Sequence, residues 1–449
     1  MAERFIQPIP LAKLPCSIAT GSMQMLHDGR LMHLYGDHYR NPKTMCVVYS
    51  DDDGQSWSQG RPLKLASGED MVSEGLPTVI RLQSGALALS HTMSNELTSS
   101  GPLHTRRTFA FHTSSDEGQT WSAPVTVNPG GTREIVMMDS MIQLTDGRLV
   151  LPCSCRFGPT LKVKGKLMAN RFGQSFFNPW THMLSFGACY YSDDRGRTWR
   201  RSLNETHATI DRGMGGGYAI DEPMIAELAD GRLMLVGNSN LNRVFRAYSE
   251  DRGETWLEAE ATDLVQRRSP VNLKRVPGRD EVLLIWNQIS RWESMNGLFR
   301  HRISCALSKD GQTWQHHKNL QSLDDVTKIE PEPLGICLSG SVYQPIDRTR
   351  YHRAPGPLRL DHSCCTFHDG KAYISYGVNN LGDIDVIEKT YGLDPDEVAR
   401  QIGFQRDPHT YGTNDPGNFS GLIKPRAKWW TGYNQFQAIP IDWFYHDND

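Results

Sequence analysis

No stretch of the chain is apolar for long enough to cross a membrane as a helix. The first residues, Met1-Ala2-Glu3-Arg4-Phe5-Ile6-Gln7-Pro8, lack the apolar core of a secretion signal. No membrane partner is expected, and the expected compartment is the cytoplasm. An excess of one charge is lacking too: 48 basic and 51 acidic side chains leave a formal net charge of -3, too little to capture nucleic acid electrostatically. The nine cysteines are few, odd in number and scattered, which argues against a disulfide framework. Cys153-Ser154-Cys155 and Cys364-Cys365 lack the spacing of a zinc knuckle and read as buried strand thiols. No metal and no organic cofactor is implied.

What the chain does have is repetition. Ser50-Asp51-Asp52-Asp53-Gly54-Gln55-Ser56-Trp57 returns as Ser114 through Trp121, Ser192 through Trp199 and Ser249 through Trp256, and in shortened form as Ser308 through Trp314. The carboxylates of Asp52, Asp116, Asp194, Asp251 and Asp310 are placed to accept hydrogen bonds from turn amides. The glycine that follows supplies a positive φ, and the tryptophan packs onto the neighbouring layer. Strand-like runs such as Met45-Cys46-Val47-Val48-Tyr49 precede the boxes, so each box is a corner between antiparallel strands.

A second motif alternates with the boxes: an apolar run, a tight turn and another apolar run. It appears at Asp28-Gly29, Ser84-Gly85, Asp146-Gly147, Asp230-Gly231 and Asp369-Gly370, and in a looser version at Pro277-Gly278. Each unit thus reads strand, hairpin, strand, strand, box, strand; the last lacks a box. Six such units predict an all-β, six-bladed β-propeller of four-stranded antiparallel blades. A chain of 449 residues would ordinarily divide into two or three domains. Blades cannot bury their faces alone, so one domain is expected over residues 1–449. Insertions interrupt it at about 155–186 in the third blade and 379–430 in the sixth. The first is basic and aromatic (Leu161 to Lys166, Arg171 to Phe177) and reads as a lid or a solvated hairpin. In the second, Asp394 to Ile402 starts like a capped helix. Ala438 to Tyr445 reads as a final strand that closes the ring with Phe5 and Ile6.

The boxes on a six-blade count resemble the sialidase (neuraminidase) superfamily, and the resemblance covers nearly the whole chain. It implies a retaining glycosidase: three arginines hold the substrate carboxylate, a Glu-activated Tyr is the nucleophile and an Asp is the acid/base. Glu222 matches the position of the Glu. Arg300, with Arg302 as second choice, matches one arginine. His362 stands where the Tyr belongs. Ser17 to Ser22 carries no arginine, and Val236-Gly237-Asn238-Ser239-Asn240 holds Asn or Ser where another is expected, with Arg243 and Arg246 nearby.

In a propeller the first strand of each blade lines the channel. Glu74, Asp139, Asp221, Glu222, Asp361 and His362 lie just upstream of the hairpin turns. Arg40, Arg106 or Arg107, His182, Arg243 and Arg300 precede the boxes. The candidates for chemistry are Glu222, His362, Asp361 and Asp139. Those for substrate binding are Arg300, Arg243, Arg106, Arg40 and His182, with Trp180, Trp286 and Trp292 able to stack on a sugar or to fill the core. Three functions fit: a glycoside hydrolase acting on sialic acid or a related acidic sugar, a polysaccharide lyase with a His or Tyr base, and a glycan-binding platform without turnover. The expected partner in each case is a carbohydrate.

Overall fold

The computed structural model describes residues 5–9, 21–37, 42–97, 105–132, 134–157, 162–163, 166–167, 184–210, 217–266, 269–291, 293, 300–322, 324–335, 358–380 and 431–446. Six antiparallel sheets follow one another along the chain. Blade one pairs Ser22–Met25, Leu31–Asp37, Thr44–Ser50 and Arg61–Pro62 in that order, and blade two pairs Thr78–Arg81, Leu87–Leu97, Thr105–Ser114 and Val125–Thr126. In blade three the innermost strand comes in two pieces, Glu134–Val136 and Ile142–Gln143. Both lie on Leu149–Phe157, followed outward by Leu184–Ser192 and Arg200–Arg201. Blade four consists of Ile220–Glu227, Leu233–Ser239, Arg243–Ser249 and Glu260–Val265; blade five of Asn272–Arg275, Val282–Trp286, Arg302–Ser308 and Gln315–Ser322.

Blade six is built from both ends of the chain. Leu358–His368, Lys371–Asn380 and Thr431–Pro440 are completed on the outside by Phe5–Ile9, which pairs with Asn434 to Ala438. The expected closure is present, but the final strand ends at Pro440; Ile441–Phe444, read as part of that strand, forms a 3-10 helix instead. A ring closed by a strand from the opposite terminus opens only when that strand unpairs, and closure leaves no free sheet face between first and last blade.

The core is a ring of interfaces. Blades one and two share Met32, Val47, Val79, Leu89 and Trp121; blades two and three share Phe109, Phe111, Leu149 and Ala188. Similar clusters join three to four, four to five and five to six. Met23, Cys46, Tyr373 and Phe436 join six to one. Of the thiols read as buried, Cys153, Cys364 and Cys365 are fully inside, whereas Cys155 is only partly buried. No helix among the described residues is long and apolar enough to cross a membrane. The helix read at Asp394 to Ile402 lies outside the described residues, as does most of the third-blade insertion, within which Lys162–Val163 pairs with Lys166–Leu167 as a short hairpin.

The boxes carry the hydrogen bonds that their sequence predicts. In the third, Ser192 Oγ donates to Asp194 Oδ1 at 2.9 Å and accepts from Gly196 N at 2.9 Å, while Thr198 donates to the carboxylate from its amide (2.8 Å) and its hydroxyl (2.6 Å). Partial burial raises the Asp194 pKa, but these donors outweigh it and lower it from 3.8 to about 2. A depressed carboxyl contributes stability above its unfolded pKa and loses it as pH falls through the folded one. Trp199 then meets Phe111 of blade two edge to face, with ring centroids 5.4 Å apart.

Gly196 shows why the box needs glycine on two counts. Its φ is +82°, and a Cβ there would lie 2.1 Å from Phe111 Cε1. Gly85, in the second-blade hairpin, has nearly the same φ of +86° with nothing within 4 Å. Gly196→Ala should therefore cost about 3 kcal/mol, left-handed strain plus overpacking, and Gly85→Ala about 1 kcal/mol, strain alone. Chemical denaturation of the two variants checks this; equal losses would show that the contact with Phe111 relaxes freely.

Candidate active site

Sheet order and strand direction divide the ring into two ends. Each innermost strand runs toward its hairpin turn, the second returns, and the third runs down to the box. Hairpins and boxes therefore share one end. The starts of the innermost strands, and the loops between second and third strands, share the other. Glu222, His362, Arg243 and Arg300 all lie at that other end.

Left-handed non-glycine residues occur at both ends: Asp53, Glu117, Arg195 and Arg252 hold box turns, and a second set lies at this end. Leu76 just before the inner strand of blade two, Asp139 between the two pieces of that of blade three, and Glu222 and His362 within those of blades four and six have φ of 59°, 57°, 51° and 31°. Arg300 joins them at 46°. Non-glycine residues in this region cost of order 1–3 kcal/mol each and cluster where a side chain must be aimed against the local preference. The strand register shifts between Asp221 and Met224, and again between Asp361 and Ser363. Such bulges re-aim side chains. In the first, Asp221 turns inward and accepts a hydrogen bond from Ser154 Oγ of blade three at 2.7 Å, whereas Glu222 stays partly exposed. Asn238 Nδ2 donates to Glu222 Oε2 at 2.8 Å. The residue found in place of an expected arginine is thus a neutral partner of the Glu222 carboxylate. In the second bulge His362 is left partly exposed; Asp361 pairs with Gly377 through its backbone, and its side chain lies outside the described part.

Two arginines stand at the same end. Arg300 is 8% exposed, and its carbonyl accepts from Leu360 N at 2.7 Å. Arg243 is 5% exposed and donates from Nη1 to Asn242 O at 2.9 Å; among the described residues no carboxylate lies within ion-pair distance of it. Burial holds its pKa below the ordinary arginine value, with Asp263 and Glu332 acting more weakly the other way. A buried guanidinium without a carboxylate is a site where an incoming anion recovers desolvation energy.

Several candidates have other occupations. The Asp139 carboxylate, 1% exposed, is fully engaged. Oδ1 accepts from Ser22 Oγ (2.9 Å) and lies 3.0 Å from Lys274 Nζ; Oδ2 accepts from Asn272 Nδ2 (2.9 Å) and Cys365 N (2.8 Å). Four donors fill a carboxylate's acceptor sites. Asp139 is a tie across the hub, joining blades one, three, five and six, and not an open acid or base. Lys274 and Asn272 are its unforeseen partners. Their signal was the two-residue alternation of Asn272, Leu273 and Lys274. Arg302 is completely buried between Asp324 (Nε to Oδ1, 3.1 Å) and Glu293 (Nη2 to Oε1, 3.1 Å), so it cannot serve as a clamp. Arg246 pairs with exposed Glu260, and Glu74 with Lys43 at 2.6 Å. Trp286 is core, its Nε1 donating to Val265 O. Arg107 N and O bond to Thr132; Arg106 pairs with Glu96 through its backbone, its side chain lying outside the described part. Arg40, His182, Trp180 and Trp292 lie outside the described residues.

Glu293, His301 and Asp324 bring ligand-type atoms within 4.8 Å of one another. The Arg302 guanidinium already pairs with both carboxylates of that group, so the donor set does not fit a metal ion.

A sequence profile of the BNR repeat-like domain matches residues 60–332. The sialidase of Micromonospora viridifaciens is 28% identical over 262 residues, which is 53% of this chain and 34% of that protein, so the match spans about a third of the relative's length. A crystal structure of a protein of unknown function from Dyadobacter fermentans superposes with a TM-score of 0.52 at 14% identity, covering 84% of this chain and 94% of that one. The Hadza microbial sialidase Hz136 aligns over 81% of this chain and 63% of its own, at 19% identity and a TM-score of 0.48. With its six-bladed ring and a profile match over more than half of its length, this chain belongs to the BNR repeat-like domain family and has a sialidase-like propeller.

Proposed function

We propose that this chain is a glycosidase acting on sialic acid or a related acidic sugar. One observation carries the reading: a partly exposed carboxylate, Glu222, and a partly exposed imidazole, His362, occupy equivalent left-handed kinks at the channel end that also holds buried Arg243 and Arg300. The arginines would take the sugar carboxylate, which offsets the desolvation of their own charge. Glu222 and His362 would move the protons of glycosidic cleavage, one to the leaving oxygen and one from the attacking group. The sialidase relative supports the substrate class.

His362 at the position of the family's Tyr favours a second reading, elimination. There an imidazole removes the proton next to a uronate carboxylate while an arginine neutralises the developing charge. A single assay separates the two. Aryl glycosides of sialic acid and of uronic acids, and a uronate-containing polysaccharide, are incubated with the protein side by side. Release of the aryl alcohol is expected. An ultraviolet-absorbing unsaturated product without aryl release would establish elimination instead. A thermal shift with acidic sugars but no product would leave a binding protein, and no response at all would overturn every one of these readings.

A further inference from the structure

Arg300 and His362 belong to different blades, yet the two segments that carry them are fastened together. Leu360 N donates to Arg300 O at 2.7 Å. One buried side chain secures the same junction: Asn287, 2% exposed at the end of the second strand of blade five, donates from Nδ2 to both Arg302 O and Leu360 O, each at 3.0 Å. A primary amide has two N–H groups in a fixed planar fork. Used on two carbonyls, one per blade, it sets the spacing between the segments 300–302 and 360–362. Both ends of this clasp carry left-handed residues, Arg300 at 46° and His362 at 31°. Strained conformations persist only where their surroundings over-determine them. The buried Arg302 guanidinium anchors one side through Glu293, Asp324 and the carbonyl of Gln288 at 3.1 Å.

We infer that Asn287 is a positioning residue: it fixes Arg300, which binds the acidic group of the substrate, relative to His362, which handles the proton. The inference rests on the proposed acidic-sugar glycosidase. Asn287 touches no substrate. It acts by holding two groups from separate blades in one geometry, where a displacement of about 1 Å is enough to cost about a hundredfold in rate.

The test combines kinetics with hydrogen exchange on the full chain. Asn287→Ala should lower kcat/KM for the acidic substrate by about 10- to 100-fold. It should also erode the preference for that substrate over its neutral methyl ester, an effect that a general loss of stability would not produce. The Leu360 amide should lose protection from exchange while amides in the blade-five strands keep theirs. Combined with Arg300→Ala, the second substitution should cost less than about threefold more, because both act on one geometry. Asn287→Ser, which keeps a single donor, should fall between wild type and Asn287→Ala and serves where the alanine variant does not fold.

Retained protection at Leu360 would overturn the clasp. Lost protection with kcat/KM within about twofold of wild type would overturn its role, as would losses that multiply in full with Arg300→Ala. A wild-type protein that neither cleaves nor binds acidic sugars would overturn the glycosidase reading and the role together. Exchange at Leu360 would still report whether the clasp exists, so the two failures are told apart.

Discussion

Glu222→Gln should lower kcat by about a thousandfold or more, in the upper part of the range for loss of a proton-transfer group, while leaving Tm nearly unchanged. The separation of the two effects follows from the site. Glutamine has the same shape as the glutamate and keeps an oxygen that can accept the hydrogen bond from Asn238 Nδ2, now 2.8 Å from Glu222 Oε2. The left-handed kink at φ 51° is a backbone property that the substitution does not touch. Asp221, which ties the strand to Ser154 of blade three, is also left in place. The substitution removes the negative charge and the capacity to take up or release a proton, the two properties the chemistry needs. Steady-state kinetics on an acidic aryl glycoside and a melting curve on the same preparation check it. Full activity would remove Glu222 from the mechanism. A parallel loss of activity and Tm would make it a strut like Asp139.

The contrast between those two residues shows what the sequence could and could not reveal. Both lie just upstream of a hairpin turn, a place legible in the sequence because the turn and box chemistry is local: Ser192, Asp194, Gly196 and Thr198 bond to one another within a few positions. Local motifs repeated at intervals gave the blade count, and the apolar runs between them gave the ring. The occupation of Asp139 is decided elsewhere. Its donors lie 117, 133 and 226 positions away in Ser22, Asn272 and Cys365, and nothing in the chain around it announces them. The different fates of Arg300 and Arg302 have a subtler reason. Two residues apart on a strand, they should face the same way. The strand begins only at Arg302, however, and the left-handed turn at Arg300 breaks the alternation, so one guanidinium enters a buried ion cluster while the other stays at the channel end. Asn238 was visible only as a departure from an expected arginine. That it would be the partner of Glu222 follows from strand pairing across the Asp221 bulge, a register detail with no sequence signature.

The second large effect is on stability. Arg302→Met should destabilise the fold by about 3–5 kcal/mol, the usual loss when one partner of a buried ion pair is removed. Methionine fills much of the same volume, so the loss is electrostatic. Glu293 and Asp324 would remain inside with their counter-ion gone, and His301, buried 3.5 Å from Glu293 Oε1, is too costly to charge there to replace it. The pH dependence identifies the cause. In the wild type, burial raises both carboxyl pKa values, but the hydrogen bond from His301 and the charge of Arg302 at Glu293, and the hydrogen bond and charge of Arg302 at Asp324, more than reverse this, and both lie below their ordinary values of 4.5 and 3.8. Their stabilising contribution is therefore present above those unfolded values and is lost as pH falls through the folded ones. Without Arg302, burial dominates and at least one carboxyl is pushed up, so that acidification relieves the variant while it weakens the wild type. The gap in Tm between the two should be widest near pH 7 and should narrow toward pH 4. Glu293→Gln and Asp324→Asn added to Arg302→Met should restore much of the loss at neutral pH, since the uncompensated charge is then gone. A gap that stays constant with pH would show that Arg302 stabilises the blade by packing its stem and not by holding the two carboxylates.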